Sequence, residues 1–334
     1  MSAAKTRQKG TAKVYKSKHH GVTSDGGTQG GPGELSKLEA YLDHNGQTMS
    51  KGTSMSKIIA IANQKGGQGK TTSTLALGTA LADRGHRVLL VDLDPQASLT
   101  IAGGLDPDEL PTTLYDAFTY YLKESEPYPV NDLTHALGPT LDLLPTSIDL
   151  AAAEIELLNA VRREYALRGL LKVAHDAYDV VLIDCPPSLS LLTLNALTAA
   201  DEVLIPVVPE FLAVRGMGYL LTTVARVRKS ELNPTLGLAG YVLTMVDDRT
   251  THGREMATAV QARLDGQVPF LGRVKRSVKA SEASARGVSL MHYAAQSDLA
   301  LAYGEIATAL ATRWSLPTPI AAPIQPTEAT HAQR

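Results

Sequence analysis

Residues 57–72 read KIIAIANQKGGQGKTT. The opening segment, KIIAIA, is rich in β-branched isoleucine and suits a buried strand. Gly66, Gly67 and Gly69 follow, and from Lys70 onward the chain has the composition of a helix. Glycines let backbone N–H groups converge on an anion without side-chain clashes, and the start of the next helix adds positive potential. Strand, glycine loop and helix in that order form the context of a phosphate-binding loop. In this reading Gly66, Gly67, Gln68 and Gly69 wrap the phosphates of a nucleotide. Lys70 reaches the β- and γ-phosphates, Thr71 sets its hydroxyl on Mg²⁺, and Thr72 contacts the α-phosphate. The usual spacing G-x-x-x-x-G-K-[ST] is not met, because Gln64 stands at the first glycine position. A second lysine, Lys65, lies five residues before Lys70 instead.

Two further segments end in carboxylates. RVLLVDLDPQ at 87–96 carries Asp92 and Asp94, and VVLID at 180–184 closes on Asp184. An Asp at the end of such a strand lies at the carboxyl edge of the sheet, beside the loop. From there Asp184 is suited to hold Mg²⁺, usually through water, and Asp94 to orient the attacking water.

Apolar runs suited to buried strands recur at 58–62, 88–91, 141–144, 180–183, 203–208, 238–246 and 270–274. Helical patterns separate most of them, at 71–84, 112–123, 151–159, 165–177, 189–200, 214–229, 253–264 and 298–312. Strand–helix alternation with unbroken apolar strands predicts an α/β fold: a doubly wound, mostly parallel sheet with helices on both faces. Ligands on such sheets sit at the carboxyl ends of the strands. A single folded domain carrying the phosphate-binding loop is expected over 56–314.

The flanks differ in composition. Residues 1–33 are rich in Lys, Gly, Ser and Thr without apolar periodicity, and read as a disordered arm within a basic segment spanning 1–55. A short amphipathic helix is expected at 34–44, ELSKLEAYLDH, ended by Asn45-Gly46. The Pro-rich segment 315–334 reads as a disordered tail. The net charge of −2 hides an asymmetry, since residues 1–57 hold nine Lys/Arg against four Asp/Glu. A polyanion is therefore a plausible partner of the arm. One cysteine, Cys185, excludes a disulfide scaffold within the monomer and a self-contained Cys-rich metal site. No run of 18 apolar residues occurs, so no membrane span is expected.

Together these blocks resemble the ParA/MinD-type deviant Walker ATPases, and the ParA partition ATPases in particular. The blocks that carry the resemblance are NQKGGQGKTT at 63–72, RVLLVDLDPQ at 87–96, AAAEIEL at 151–157, VVLIDCPPSLSLLTLNALTAADEVLIPV at 180–207, LTMVDDRT at 243–250 and SVKASEASARG at 277–287. They span roughly residues 57–312. The resemblance implies that Lys65 is the signature lysine reaching the partner's nucleotide in an ATP-sandwich homodimer. Gly66 then has to be small where the two loops meet. It implies that Asp94 is needed for hydrolysis, that Asp92 sits beside it in the first switch, and that Asp184 is the Walker B acid. It further implies slow ATP hydrolysis stimulated by a ParB-type centromere-binding protein, binding to nonspecific double-stranded DNA, and a cytoplasmic, nucleoid-associated location. The DNA-contacting cations fall on Arg249 and Lys279, with Lys275 and Arg276 as neighbouring candidates. Lys275 stands where relatives commonly have Pro, and Lys279 where they usually have Arg.

A MinD-like membrane ATPase would require a basic amphipathic C-terminal helix, and SLPTPIAAPIQPTEATHAQR is Pro-broken with no basic face. An iron–sulfur member of the superfamily would require at least two cysteines. A ParA relative that positions another cargo would share the whole ATPase cycle. The first 55 residues are too short for the helix-turn-helix domain of some plasmid relatives, so operator binding is not expected.

Overall fold

The computed structural model describes residues 56–124, 128, 132–210 and 213–317. The arm expected over 1–55, its helix at 34–44, and the tail beyond residue 317 lie outside the described residues.

Among the described residues, eight strands form one sheet. They are β1 (Lys57–Ile61), β2 (Val88–Asp92), β3 (His135–Gly138), β4 (Leu141–Leu144), β5 (Val180–Asp184), β6 (Glu202–Val207), β7 (Gly237–Val246) and β8 (Phe270–Lys275). Their order across the sheet is β3-β4-β2-β5-β1-β6-β7-β8. All neighbours run parallel except β3 and β4. The α-helices in chain order are α1 (Lys70–Ala82), α2 (Ser98–Ala102), α3 (Leu114–Glu124), α4 (Leu150–Leu157), α5 (Ala166–Leu170) and α6 (Leu191–Ala199). They continue with α7 (Ala213–Lys229), α8 (Thr251–Leu264), α9 (Lys279–Ala285), α10 (Leu290–Tyr293) and α11 (Asp298–Arg313).

Alternation along each strand divides the core in two. On β1, Ile58 and Ala60 face a cluster with Phe118, Leu167 and Leu192, while Ile59 and Ile61 face one with Leu77, Tyr303 and Ile306. Every residue of β2 and β5 is buried, as strands covered on both faces must be. Helices α3 to α8 cover one face; α1, α2 and α9 to α11 cover the other. Gly78 brings α1 against the sheet, because a Cβ there would lie 2.5 Å from Cδ2 of Leu90.

All seven expected strands are present, and the sheet is the mostly parallel, doubly wound one expected. The eighth, β3, is a four-residue antiparallel edge strand, HALG, whose polar ends and glycine carry no apolar run. The single helix expected at 165–177 is instead α5 followed by a 3₁₀ turn at Leu171–Ala174. Gly169 weakens helix propensity there, and its missing side chain admits the Tyr121 ring, 2.7 Å from where a Cβ would stand. The short helices α2, α9 and α10 were not expected, since none is long enough to show a period.

Candidate active site

Register places the acids. Parallel pairing sets Ile61 of β1 opposite Asp184 of β5, and Asp184 opposite Asp92 of β2. Both carboxylates therefore end adjacent strands at the carboxyl edge, where the chain leaves β1 as the glycine loop.

The loop is held from below. The Asn63 side-chain amide donates to the Pro206 carbonyl at 2.6 Å, and the Lys65 N–H donates to Asn63 Oδ1 at 3.2 Å. The Val208 N–H donates to Gln68 Oε1 at 2.9 Å, and the Thr244 hydroxyl donates to the Gln68 carbonyl at 2.9 Å. Gln68 thus spends its side chain on the strand-end segment after β6 rather than on the open face of the loop. Gly67 (φ 69°) and Gly69 (φ 79°) take the left-handed conformation. A Cβ in that region costs roughly 1–2 kcal/mol, which accounts for glycine at both places. The Gly69 carbonyl accepts the first helical bond, from the Ser73 N–H at 2.9 Å, so the loop delivers its backbone straight into α1.

Lys70 is buried at the first position of α1, close enough to Asp184 to oppose part of the rise in its pKa. The Thr71 hydroxyl donates to Asp184 Oδ2 at 2.6 Å. Asp184 Oδ1 is buried with no hydrogen-bond partner. Asp92 differs: it accepts from the Thr100 N–H and hydroxyl, both at 2.8 Å, and from the Asp94 N–H at 3.2 Å. Burial pushes both carboxyls well above the usual carboxylate range, and for Asp184 the charge of Asp92 adds to the rise. Asp92 has three donors and Asp184 one, so the proton shared by the pair belongs on Asp184. A hydroxyl and a carboxylate with a free buried oxygen are hard oxygen donors suited to Mg²⁺, and the nearby ammonium is suited to the phosphate chain beside it.

Asp94 lies two residues on, half-buried, and accepts from the Gln96 N–H at 3.1 Å. Ala97 closes that turn with a left-handed φ of 51°. Lys65 is exposed and ion-paired with Glu210, in the segment just after β6. Thr72 lines a cavity of about 450 Å³ with Gly69, Thr244, Met245, Arg276 and Tyr303. The Tyr303 hydroxyl, 2.9 Å from Ser73 Oγ, ties α11 to α1 beneath that cavity.

The four cations considered for DNA cluster at the ends of β7 and β8. Arg249 is ion-paired with Asp247 at 3.0 Å and Lys275 with Asp298 at 2.8 Å. Neighbouring Arg273 pairs with Asp248 at 3.1 Å. Arg276 and Lys279 are exposed. The patch therefore exists as a cluster, but aspartates are threaded through it. Cys185, next to Asp184, is fully buried and burial raises its thiol pKa, so it supplies no thiolate nucleophile.

The sequence reading did not single out Glu210, Thr100, Thr244, Asn63 or Tyr303. Glu210 had a usable signal, since it follows the strand ending at Val207 on the same edge.

A glycine loop between a parallel strand and its helix, with two strand-end carboxylates beneath it, defines a P-loop protein. A family model described as an AAA domain matches residues 56–238. The chromosome partitioning protein ParA of Caulobacter vibrioides is 44% identical over 239 residues, covering 71% of this chain and 87% of its own. The sporulation initiation inhibitor protein Soj of Bacillus subtilis is 42% identical over 258 residues, covering 77% and 99% respectively. A solved Mycobacterium smegmatis structure, described as cobyrinic acid a,c-diamide synthase with bound ATP analogue and magnesium, superposes with a TM-score of 0.66 at 39% identity. That match covers 79% of this chain and 99% of the other. The chain belongs to the ParA/MinD-like family of P-loop proteins.

Proposed function

We propose that this protein is an ATP-dependent partition ATPase. Its cofactors are ATP and Mg²⁺. The observation that carries the reading is the Thr71–Asp184 pair, with its 2.6 Å hydrogen bond and the unpartnered Asp184 Oδ1. A buried carboxylate oxygen without a donor is costly, by roughly 1–3 kcal/mol, and a bound cation relieves it. When bound, Mg²⁺ neutralises charge on the β- and γ-phosphates. Thr71 and Asp184 are the residues to hold it, Asp184 through water, after Asp184 gives up its proton. The backbone of 66–69 wraps the phosphates, Lys70 neutralises them, and Asp94 aligns the attacking water.

Lys65 completes the site in trans. In an ATP-sandwich dimer it leaves Glu210 and reaches the partner's phosphates, stabilising charge as the bond to the γ-phosphate breaks. Hydrolysis is slow alone and accelerated by a ParB-type protein. The ATP-bound dimer holds nonspecific double-stranded DNA through Arg249, Lys275, Arg276 and Lys279. Its location is the cytoplasm, on the nucleoid. Support for DNA as the cargo comes from the name of the Caulobacter relative, a chromosome partitioning protein. Among the described residues no helix is long and apolar enough to cross a membrane. The domain reading, an ATPase body over 56–314 with a basic arm before it and a Pro-rich tail after it, is part of this proposal.

The test is cosedimentation of the purified chain with mixed-sequence duplex DNA, with Mg-ATP, with Mg-ADP and without nucleotide. ATP-dependent binding that Lys70→Ala abolishes is the expected result. ATP turnover without any ATP-dependent DNA binding overturns the partition reading and leaves an ATPase with another cargo.

A further inference from the structure

Beside the end of β8 and the start of α11 lies a cleft of about 360 Å³, lined by Lys275, Arg276, Ser277, Lys279, Gln296, Ser297, Asp298 and Leu299. Three cations, two hydroxyls and a carboxamide around one small opening match a single phosphate of a nucleic-acid backbone. One group contradicts that match. Asp298 accepts a 2.8 Å ion pair from Lys275, and both side chains are more than half exposed. Lys275 in turn holds the Asp298 carboxyl below its usual range, and the charge of Lys279 adds to this.

We infer that this cleft seats one backbone phosphate of DNA and that Asp298 is a built-in competitor the phosphate has to displace. The inference rests on the DNA-binding reading above. The anion and the carboxylate compete for the same ammonium. An exposed ion pair is weak, so it yields to a polyanion while lowering the affinity. The same arrangement recurs next door, where Asp247 pairs Arg249 and Asp248 pairs Arg273. Three of the five cations at this edge therefore carry an internal counter-ion, which leaves Arg276 and Lys279 as the readily available charges. Asp298 also begins α11, the helix whose Leu299 and Tyr303 line the 450 Å³ cavity next to the glycine loop. The competitor and the nucleotide side of the site thus share one helix.

Binding of the full chain to mixed-sequence duplex DNA in Mg-ATP, across a salt series, tests this. The variants are Asp298→Asn, Lys275→Ala, the double variant, and Asp265→Asn as a charge control at the far end of α8. Asp298→Asn should bind about two- to fivefold more tightly, the range set by exposed ion pairs. Its log–log salt slope should steepen by about one unit, because one more cation now meets phosphate directly. The gain should disappear in the Lys275→Ala background. Parent-like affinity in Asp298→Asn overturns the inference, as does an equal gain from Asp265→Asn, which would mean that net charge alone acts. Failure of the parent itself to bind DNA with ATP overturns the partition reading instead, so the two failures are distinguishable.

Discussion

Replacing Asp184 by Asn should stabilise the nucleotide-free protein while removing its response to Mg-ATP. Asp92 and Asp184 are opposite each other in register on adjacent strands, and both are fully buried. Parallel strands lie about 4.8 Å apart, so two ionised carboxylates there sit roughly 5–6 Å apart. At an effective dielectric constant of about 20 they repel by about 3 kcal/mol. Sharing a proton near neutral pH already relieves part of this, so the gain from Asp184→Asn is about 1–3 kcal/mol. Asn keeps an oxygen to accept from Thr71. For a domain of this size that gain raises the unfolding temperature by roughly 3–10 °C.

The sign of the pH dependence follows from the raised carboxyls. Each holds its proton more tightly folded than unfolded. The stability they contribute is full below the ordinary carboxylate range and is lost as pH rises through the raised values. The parent without nucleotide should therefore melt at falling temperatures from about pH 4 to about pH 8, and Asp184→Asn should flatten that decline. With Mg-ATP at about a hundred times its dissociation constant the parent gains about 2.7 kcal/mol, and the variant gains far less. Thermal unfolding by circular dichroism, with and without Mg-ATP across that pH range, reads all of this. An Asp184→Asn protein that melts below the parent at alkaline pH without nucleotide would refute the charge argument. One that gains as much as the parent from Mg-ATP would refute the assignment of the cation.

Glu210→Gln removes the ionic partner of Lys65 and should strengthen ATP-driven dimerisation about two- to fivefold, the scale of an exposed pair; light scattering at graded ATP checks it, and an unchanged midpoint counts against the tether. Asp94→Ala should bind ATP as the parent does and hydrolyse it at least about a hundredfold more slowly; parent-like turnover would remove Asp94 from the chemistry. Gly69→Ala forces a methyl onto a φ of 79°, so it should lower stability by roughly 1–2 kcal/mol and weaken nucleotide binding; calorimetry that finds parent affinity would show the loop tolerates the strain. Burial holds the His86 imidazole below its usual range, with Asp179 opposing the shift and Arg84 adding to it. Because the fold favours the neutral ring, His86 should subtract stability as pH falls below about 6.5, opposing the gain from the two carboxyls there, and equal slopes for parent and His86→Gln in a melting series would sink that account.

The sheet was legible because its signal is local and repeated. Strands covered on both faces read as apolar runs, and Val88–Asp92 and Val180–Asp184 have no exposed residue to interrupt them. Strand β3 was not legible, since an edge strand of four residues needs no such run. For the same reason Lys70, Thr71 and Asp184 could be expected on one edge of the sheet: the loop follows a strand in sequence, and a strand-end acid lies on the same edge by topology alone.

What stayed hidden is everything set by which strand ends meet. Gln68 sits within the glycine loop, yet its side chain is turned to the Val208 N–H, some 140 residues away in the chain. Asp92 and Asp184 look equivalent as strand-end acids, and only their donors separate them: three on Asp92, one on Asp184. That difference leaves Asp184, and not Asp92, with a buried oxygen that has no hydrogen-bond partner. The basic patch shows the same limit. Arg249, Lys275 and Lys279 count as cations in the sequence, but Asp247 and Asp298 neutralise two of them across turns and between elements. Charge counted along the chain therefore overstates the free positive charge at this edge.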